Sequence, residues 1–350
     1  DLKMKIKTHK QIALVCFLTI ALAGASQAIE KPAIINVMVD MKVPESPTED
    51  QLNEAMNHIF SIAGVSTYEL ANSEIKSINW TIFLVNEASL GNRLALAQLG
   101  LDPSVEFGIS GNQSDEKLSM KSYEDQKAIL ERAKEIEAAC KVCGTNVIVP
   151  MGFMPQSFDQ NEDTYRVLDD IGIIYNAGFQ AGVLYAPGHE NDVWPYKVEG
   201  HDFYAVPMST IDLSGEKVPL DDRLMKNKGI TASKWYDLLV DKLNEVSEKD
   251  MPMVISLSSS VSGKGDWLEA YKNFVEYAVS AEARFVNTID LVDMSRSGSH
   301  EPPALIIPAN ALEDAESSAA DSMKENASVC EGCNPAENTT YSNGTINVAL

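Results

Sequence analysis

Residues 147–178 read VIVPMGFMPQSFDQNEDTYRVLDDIGIIYNAG, and this stretch decides the fold class of the chain. It begins with a short apolar run and continues into a loop that contains proline and acidic residues. Apolar residues then recur at helical spacing between Tyr165 and Ile171, and Gly172 is of the type that commonly ends a helix. A second apolar run begins at Ile173. Strand, loop, helix and strand in this order build parallel sheets, so the stretch predicts an α/β fold.

The same alternation of strands and helices extends on both sides of this stretch. The predicted strands are 33–41, 80–85, 105–109, 147–153, a run from 173, 203–211, 253–257 and 284–291. The predicted helices are 48–63, 93–99, 122–143, 165–171, 232–246 and 267–279. Thr48 and Ser122 stand where a hydroxyl can accept the unpaired N–H groups of a first turn. Continuous alternation over this length predicts one (β/α) barrel rather than two domains.

The two ends of the chain differ in composition from the barrel region. Lysines, a short apolar run and small residues up to Ala28 are typical of a secretory signal peptide. From residue 297 the chain is acidic, poor in large apolar residues and contains sequons at Asn326, Asn338 and Asn343. We therefore expect a signal peptide at 1–28, a barrel domain at 29–296 and a flexible, glycosylated tail at 297–350. An uncleaved N-terminal anchor is the alternative to the signal peptide.

The charge of the chain excludes several classes of partner. The formal net charge is −23. A chain this acidic is repelled by nucleic acid and by anionic lipid surfaces. The charge therefore predicts that nucleic acid is not a partner. The signal peptide, with no second apolar run of its length after it, predicts a secreted or cell-envelope protein without a membrane span in its mature form.

Four cysteines lie outside the predicted signal peptide, in two C-x-x-C pairs. The pairs are Cys140 with Cys143 and Cys330 with Cys333. Export favours oxidation, so we expect disulfides within or between the pairs. Zinc binding by the four thiolates and thiol redox chemistry are the alternatives.

The strand, Pro-containing loop and helix of residues 147–178 resemble those of polysaccharide deacetylases of the NodB-homology type, also called carbohydrate esterase family 4. The resemblance implies a distorted (β/α) barrel of about seven units. It also implies an Asp-Asp pair at the end of the first strand, where one Asp activates water. The other Asp and two His hold a divalent metal, usually zinc, which polarises the water and stabilises the oxyanion. A His on a late strand acts as the acid.

Most of the polar residues that the resemblance requires are replaced in this chain. Asp40 alone ends the first strand, and its role is either catalytic or structural. Ser110 and Ser114 stand where the two metal-binding His are expected, and a serine hydroxyl is a poor zinc ligand beside imidazole. Ser258 stands at the position of the late His, and no Arg lies beside Pro155. We therefore expect no metal, and we assign Ser110 and Ser114 to substrate binding.

A polar loop at residues 187–196 carries the remaining candidates. Further candidate substrate-binding residues are His189, Glu190, Trp194 and Tyr196. The aromatic side chains can stack on the C–H face of a sugar. His189, Glu190 and Asp192 are alternatively candidate metal ligands, and His201 follows them. A loop whose Trp packs back on the barrel is the structural alternative.

Two functions remain open on the sequence. One is an exported polysaccharide deacetylase-like protein that binds or acts on cell-envelope carbohydrate with a degenerate metal site. The other is an active deacetylase that removes N- or O-acetyl groups from a glycan, with zinc or another divalent metal in a rearranged site. The chain contains no G-x-S-x-G motif, so a serine hydrolase of that kind has no support.

Overall fold

A computed structural model describes residues 32–43, 46–69, 75–86, 96, 98–132 and 150–299. The strands are β1 (Ile34–Asp40), β2 (Thr67–Glu69), β3 (Ile75–Ser77), β4 (Trp80–Leu84), β5 (Val105–Ile109), β6 (Gly152–Phe153), β7 (Tyr175–Gln180), β8 (Tyr196–Lys197), β9 (Tyr204–Met208), β10 (Thr210–Leu213), β11 (Glu216–Pro219), β12 (Pro252–Ser258) and β13 (Arg284–Val286). The helices are α1 (Glu49–Val65), α2 (Tyr123–Glu131), α3 (Glu162–Ile171), α4 (Asp222–Asn227), α5 (Ala232–Lys249), α6 (Ser259–Ser262), α7 (Gly265–Ser280) and α8 (Thr288–Ser297).

The main sheet curls until its two ends meet. Its strand order is β12-β1-β4-β5-β6-β7-β9-β8, with β13 also paired to β1. Within the described residues all the pairings of this sheet are parallel except that of β8 with β9. The Ser209 N–H donates to the Val254 carbonyl at 3.0 Å, and the Ser256 N–H donates to Leu220 at 2.9 Å. These bonds join β9, β12 and the end of the β10–β11 hairpin, so the predicted barrel fold is confirmed.

The sequence of strand β1 determines which side chains face the inside of the barrel and which face the helices outside it. All seven of its residues are buried. Ile35, Val37 and Val39 pack in the cluster that contains Trp235 of α5 and Phe274 of α7, outside the sheet. Successive side chains of a strand point to opposite faces, so Asn36 and Asp40 face the inside. Burial on both faces is typical of a parallel strand covered by helices.

The predicted caps at Thr48, Ser122 and Gly172 are confirmed, while α3 begins three residues before the predicted start at Tyr165 and α5 ends three residues after the predicted end at Val246. Thr48 caps α1, and its hydroxyl accepts the Gln51 N–H at 3.3 Å. Ser122 caps α2 in the same way. Gly172 follows α3 with φ of 73°, in the left-handed region that favours glycine.

Two sequence predictions of strands are wrong. The run 284–291 is a strand only to Val286, and helix α8 begins at Thr288 after the cap position Asn287. The run 203–211 is divided between β9 and β10, because β10 turns away to pair with β11. Short apolar runs fit a strand or a buried helix equally well, which explains the first error.

Several predictions lie outside the described residues. These are the signal peptide, most of the helix at 93–99, the second half of the helix at 122–143, and the tail from residue 300. All four cysteines of the predicted disulfides, Cys140, Cys143, Cys330 and Cys333, are also outside. In the part of the chain that the structure describes, no helix combines the length and the apolar character that crossing a bilayer requires.

Candidate functional site

The carboxyl ends of the parallel strands surround one cleft, which we call the mouth cleft. Asp40 and Ser258 end β1 and β12, while Ser110 and Met154 directly follow β5 and β6. The cleft is lined by Asp40, Lys42, Met154, Pro155, Ser157, Phe158, Asp221, Arg223 and Ser258. Its cavity volume is about 10 Å³, which is room for about one water molecule.

Three side chains close a ring at the base of the mouth cleft. Lys42 Nζ lies 2.5 Å from Asp40 Oδ2, and both side chains are at most 10% exposed. Gln156 Nε2 donates to Asp40 Oδ1 at 2.9 Å. The same glutamine accepts a hydrogen bond from Lys42 Nζ through Oε1. Each oxygen of the Asp40 carboxylate therefore has a partner, and one of these partners is a buried ammonium group.

Ser110 belongs to the same cluster, while Ser114 lies one step outside it. Gln156 Nε2 donates its second hydrogen to Ser110 Oγ, and Ser110 Oγ donates to the Met154 carbonyl at 2.7 Å. Ser114 Oγ accepts the Val43 N–H at 2.8 Å, just beyond the end of β1. The structure thus brings Asp40 and Ser110 together through Gln156. We call Asp40, Lys42, Ser110 and Gln156 the mouth cluster.

The loop after β6 is shaped to bring Gln156 into the cleft. Gly178 of β7 has no side chain, and a Cβ atom there would lie 2.5 Å from Pro155 Cγ. The proline therefore packs directly on the strand. Ser157 and Phe158 both have positive φ, 54° and 59°, in a region that residues other than glycine seldom adopt. The sharp turn places Gln156 inside and leaves Ser157 at the rim.

An arginine does reach this cleft, although none lies beside Pro155 in the sequence. Arg223 of α4 contacts Asp115 Oδ1 at 2.6 Å and donates to Ser157 Oγ at 3.0 Å. This contact with Arg223 lowers the pKa of Asp115. Burial raises the pKa of neighbouring Asp221, whose carboxylate accepts hydrogen bonds from Leu224 N and Ser256 Oγ. The charged side chains at the rim therefore contact one another or neighbouring protein groups.

The residues at the mouth do not fit the divalent metal that the resemblance implies. The cluster offers a metal one carboxylate and two serine hydroxyls, which are weak ligands beside imidazole, and both oxygens of Asp40 already have protein partners. The Lys42 ammonium would repel a cation that approached Asp40. Within the described residues, no group of three or more His, Cys, Asp or Glu side chains could hold a metal ion. The charge of the Asp40 carboxylate is neutralised by the Lys42 ammonium and not by a metal ion.

The polar loop that follows β7 does not contribute to the mouth cleft. His189 stacks on Tyr196 at 3.9 Å between ring centroids, and His189 Nδ1 lies 2.6 Å from Asp192 Oδ2. Trp194 lines a different groove, beside the start of β1, and the Glu190 side chain is exposed.

The placement of this loop separates these candidates from Asp40. The physical reason is β8, which pairs Tyr196 with Ala205 near the start of β9. This pairing draws the second half of the loop toward the amino ends of the strands. His201 lies apart as well, held by Asp169 at 2.7 Å and Glu162 at 3.3 Å.

Sequence reasoning missed Lys42, Gln156 and Arg223. A signal for Lys42 was present, because side chains two residues apart on an extended strand point the same way. Lys42 follows Asp40 by two positions and therefore shares its inward direction. No comparable signal existed for the other two, since contacts across 116 and 108 residues depend on the closed barrel.

Comparison with known proteins shows the fold. No protein-family model and no curated protein matches this sequence. Solved structures do match, among them a putative polysaccharide deacetylase from Mycobacterium smegmatis, with 15% identity over 81% of this chain and 97% of that chain and a TM-score of 0.57. A probable polysaccharide deacetylase from Pseudomonas aeruginosa PAO1 has 13% identity over 76% of this chain and 92% of that chain, also at 0.57.

The PuuE allantoinase is similar to the same degree, with 15% identity over 78% of this chain and 93% of its own and a TM-score of 0.57. At identities this low, the similarity shows a shared fold only. The chemistry has to be judged from the residues of each site. The chain has the NodB-like (β/α) barrel fold seen in polysaccharide deacetylases.

Proposed function

We propose that this protein binds carbohydrate without hydrolysing it, on a barrel whose catalytic centre has been replaced by an ion pair. The observation that carries the proposal is the contact of the Lys42 ammonium with Asp40 at 2.5 Å. In a metal-dependent deacetylase, the carboxylate at this place binds the metal or activates water. Here Lys42 supplies the neighbouring positive charge from within the chain.

The geometry at Asp40 opposes a role as general base. A general base must reach the proton of an attacking water directly, at about 2.6–3.2 Å between heavy atoms. Both carboxylate oxygens of Asp40 are occupied, and opening the pair would leave a buried charge without its partner. The cleft also has room for only about one water molecule, so an acetylated sugar does not fit.

Carbohydrate is the ligand class that the fold supports. Two of the similar solved structures are described as polysaccharide deacetylases, and the barrel shares their fold. The net charge of −23 disfavours nucleic acid and acidic polymers as ligands. The proposal includes export through the N-terminal segment and a place at the cell envelope, where polysaccharides are the abundant polymers.

The alternative, an active deacetylase with a rearranged metal site, has less support. Its proposed ligands are His189, Glu190 and His201. His189 is held by Asp192, and His201 is held by Asp169 and Glu162. Neither histidine lines the mouth cleft with Asp40.

The proposal predicts binding of acetylated glycan without release of acetate. The full chain is incubated with penta-N-acetylchitopentaose and with O-acetylated xylan, with and without added zinc. Binding is measured by calorimetry, and free acetate by an enzymatic assay. We expect binding to at least one glycan and acetate at the level of the protein-free control. Acetate that rises with protein concentration, and that is lost in Asp40→Asn, would overturn the proposal.

A further inference from the structure

We propose that the sugar-binding site of this protein lies at the amino ends of the barrel strands, at the end opposite the mouth cleft. This inference rests on the proposed function and adds the place of binding and the class of sugar. The site is a groove that we call the basal groove. Its lining includes Pro32, Ile34, Trp194, Ser247, Glu248 and Met251.

Size favours the basal groove over the mouth cleft. Its cavity volume is about 240 Å³, compared with about 10 Å³ at the mouth. Small-ligand sites typically have volumes of about 300–1,000 Å³, so the basal groove approaches that range and suits one or two sugar rings. The mouth cleft is too small by more than an order of magnitude.

The walls of the basal groove come from three well-anchored parts of the fold. Residues 32–34 include the first residue of β1, and residues 246–251 are the last turn of α5 and the two residues that join it to β12. Trp194 precedes β8, and the next residue, Pro195, accepts a hydrogen bond from Ser295 Oγ of α8. Sites built at the ends of packed elements hold their geometry better than sites on free loops.

The chemistry of the groove fits an uncharged sugar. Trp194 is half-buried and packs partly against the barrel-interior cluster that includes Ile34 and Met38. Trp194 lines the groove, and an indole ring is the kind of side chain that stacks on the C–H face of a sugar. Ile34 and Met251 extend the apolar wall.

The polar side of the groove supplies hydrogen-bond acceptors. Glu248 is an exposed carboxylate, and Ser247 Oγ donates to the Leu243 carbonyl at 2.7 Å, which leaves its lone pairs to accept. A ligand must therefore bring donors, as sugar hydroxyls do. The carboxylate also repels uronic acids, so the sugar that fits the groove is a neutral hexose or N-acetylhexosamine residue.

Calorimetric titration of the full chain with tetra-N-acetylchitotetraose tests the site, with tetragalacturonate as the charged comparison. Three variants are compared with the wild type. Trp194→Ala removes the stacking face, Glu248→Gln removes the carboxylate, and Arg223→Gln alters only the mouth rim. We expect about tenfold weaker binding for Trp194→Ala, the size of effect expected for one lost aromatic contact, and about threefold for Glu248→Gln. Arg223→Gln should bind as the wild type does.

Tryptophan fluorescence gives an independent reading if Trp194→Ala folds poorly. Trp80 and Trp235 are buried, at 1% and 0% exposure. Trp267 is partly buried beside Trp235 and does not line the basal groove. Bound sugar should therefore change the emission of Trp194, and Trp194→Phe, which keeps an aromatic side chain in place, should abolish that change. If Trp194→Ala and Glu248→Gln bind as the wild type while Arg223→Gln binds weakly, the site is at the mouth and only this inference is overturned. If the wild type binds no neutral glycan, both this inference and the proposed function are overturned.

Discussion

Replacing Lys42 by methionine is expected to lower the free energy of unfolding by about 3–5 kcal/mol, a large effect for one side chain. Methionine keeps an unbranched apolar stem but removes the ammonium that lies 2.5 Å from Asp40. Asp40 then stays in the barrel as a buried carboxylate whose remaining partner in the mouth cluster is Gln156. A buried charge that loses its counter-ion is strongly destabilising, because the single water molecule for which the cleft has room solvates a carboxylate far less than bulk water does.

Urea unfolding followed by circular dichroism measures this effect. The double variant Asp40→Asn with Lys42→Met should recover most of the lost stability, since neither charge is then left alone. Lys249→Met is the matched control, because Lys249 pairs with Glu245 at 2.8 Å while 55% exposed, and surface pairs contribute little. If Lys42→Met unfolds at the urea concentration of the wild type, the ammonium is solvated and the mouth cluster does not exist as described.

The second large effect concerns Glu106, which lies inside the barrel near the amino end of β5. Its Oε2 accepts from Thr81 Oγ1 at 2.8 Å and from Ile289 N at 3.1 Å, and its Oε1 shares a hydrogen bond of 2.7 Å with Tyr175 Oη, which can accept the proton of the carboxyl group. Thr288 Oγ1 in turn donates to Thr81 Oγ1 at 2.8 Å. Through these bonds Glu106 holds the first turn of α8 against the strands. Burial raises the pKa of this carboxyl to about 7.

The raised pKa makes the stability fall as pH rises. Unfolded Glu106 loses its proton near pH 4.5, whereas the folded protein keeps it up to about pH 7. The stabilisation is therefore fully present below pH 4.5 and is lost progressively until pH passes 7. The difference in pKa corresponds to about 3 kcal/mol.

Denaturant unfolding at pH 5, 6, 7 and 8 checks this pH dependence when wild type and Glu106→Gln are compared. Glutamine cannot titrate, so the difference in stability between the two proteins should shrink or reverse in favour of Glu106→Gln between pH 5 and 8. The comparison with the variant removes the contribution of the other carboxylates. Parallel pH profiles would show that Glu106 is solvated or is already ionised at pH 5.

The sequence predicted the barrel well because its signals are local. Buried alternation in β1, the caps Thr48 and Ser122, and Gly172 after α3 each follow from residue type and spacing within one turn or strand. The run at 284–291 was misassigned because an apolar run is ambiguous. Asn287 before Thr288 is a cap signal that could have corrected it.

The candidate site could be predicted only in part. Asp40 and Ser110 follow strand ends, and the fold guarantees that strand ends meet. The inward position of Gln156 depends on a turn in which two residues have positive φ, and on the absence of a side chain at Gly178. Neither feature can be predicted from the sequence. The two-residue strand β8 decides where Trp194 goes, and a strand that short has no detectable pattern. Tertiary pairing, rather than local preference, therefore separates Trp194 from Asp40.

We expect that the Lys42 ammonium, and no metal, provides the positive charge beside Asp40. The zinc content of the full chain, measured after equilibration with zinc and removal of unbound metal, distinguishes these two sources of charge. Because the C-x-x-C pairs can bind zinc on their own, the wild type is compared with Asp40→Asn and with a Cys330→Ser, Cys333→Ser variant. We predict that Asp40→Asn leaves the zinc content of the wild type unchanged. One zinc per chain that is lost in Asp40→Asn and kept in the cysteine variant would contradict the account.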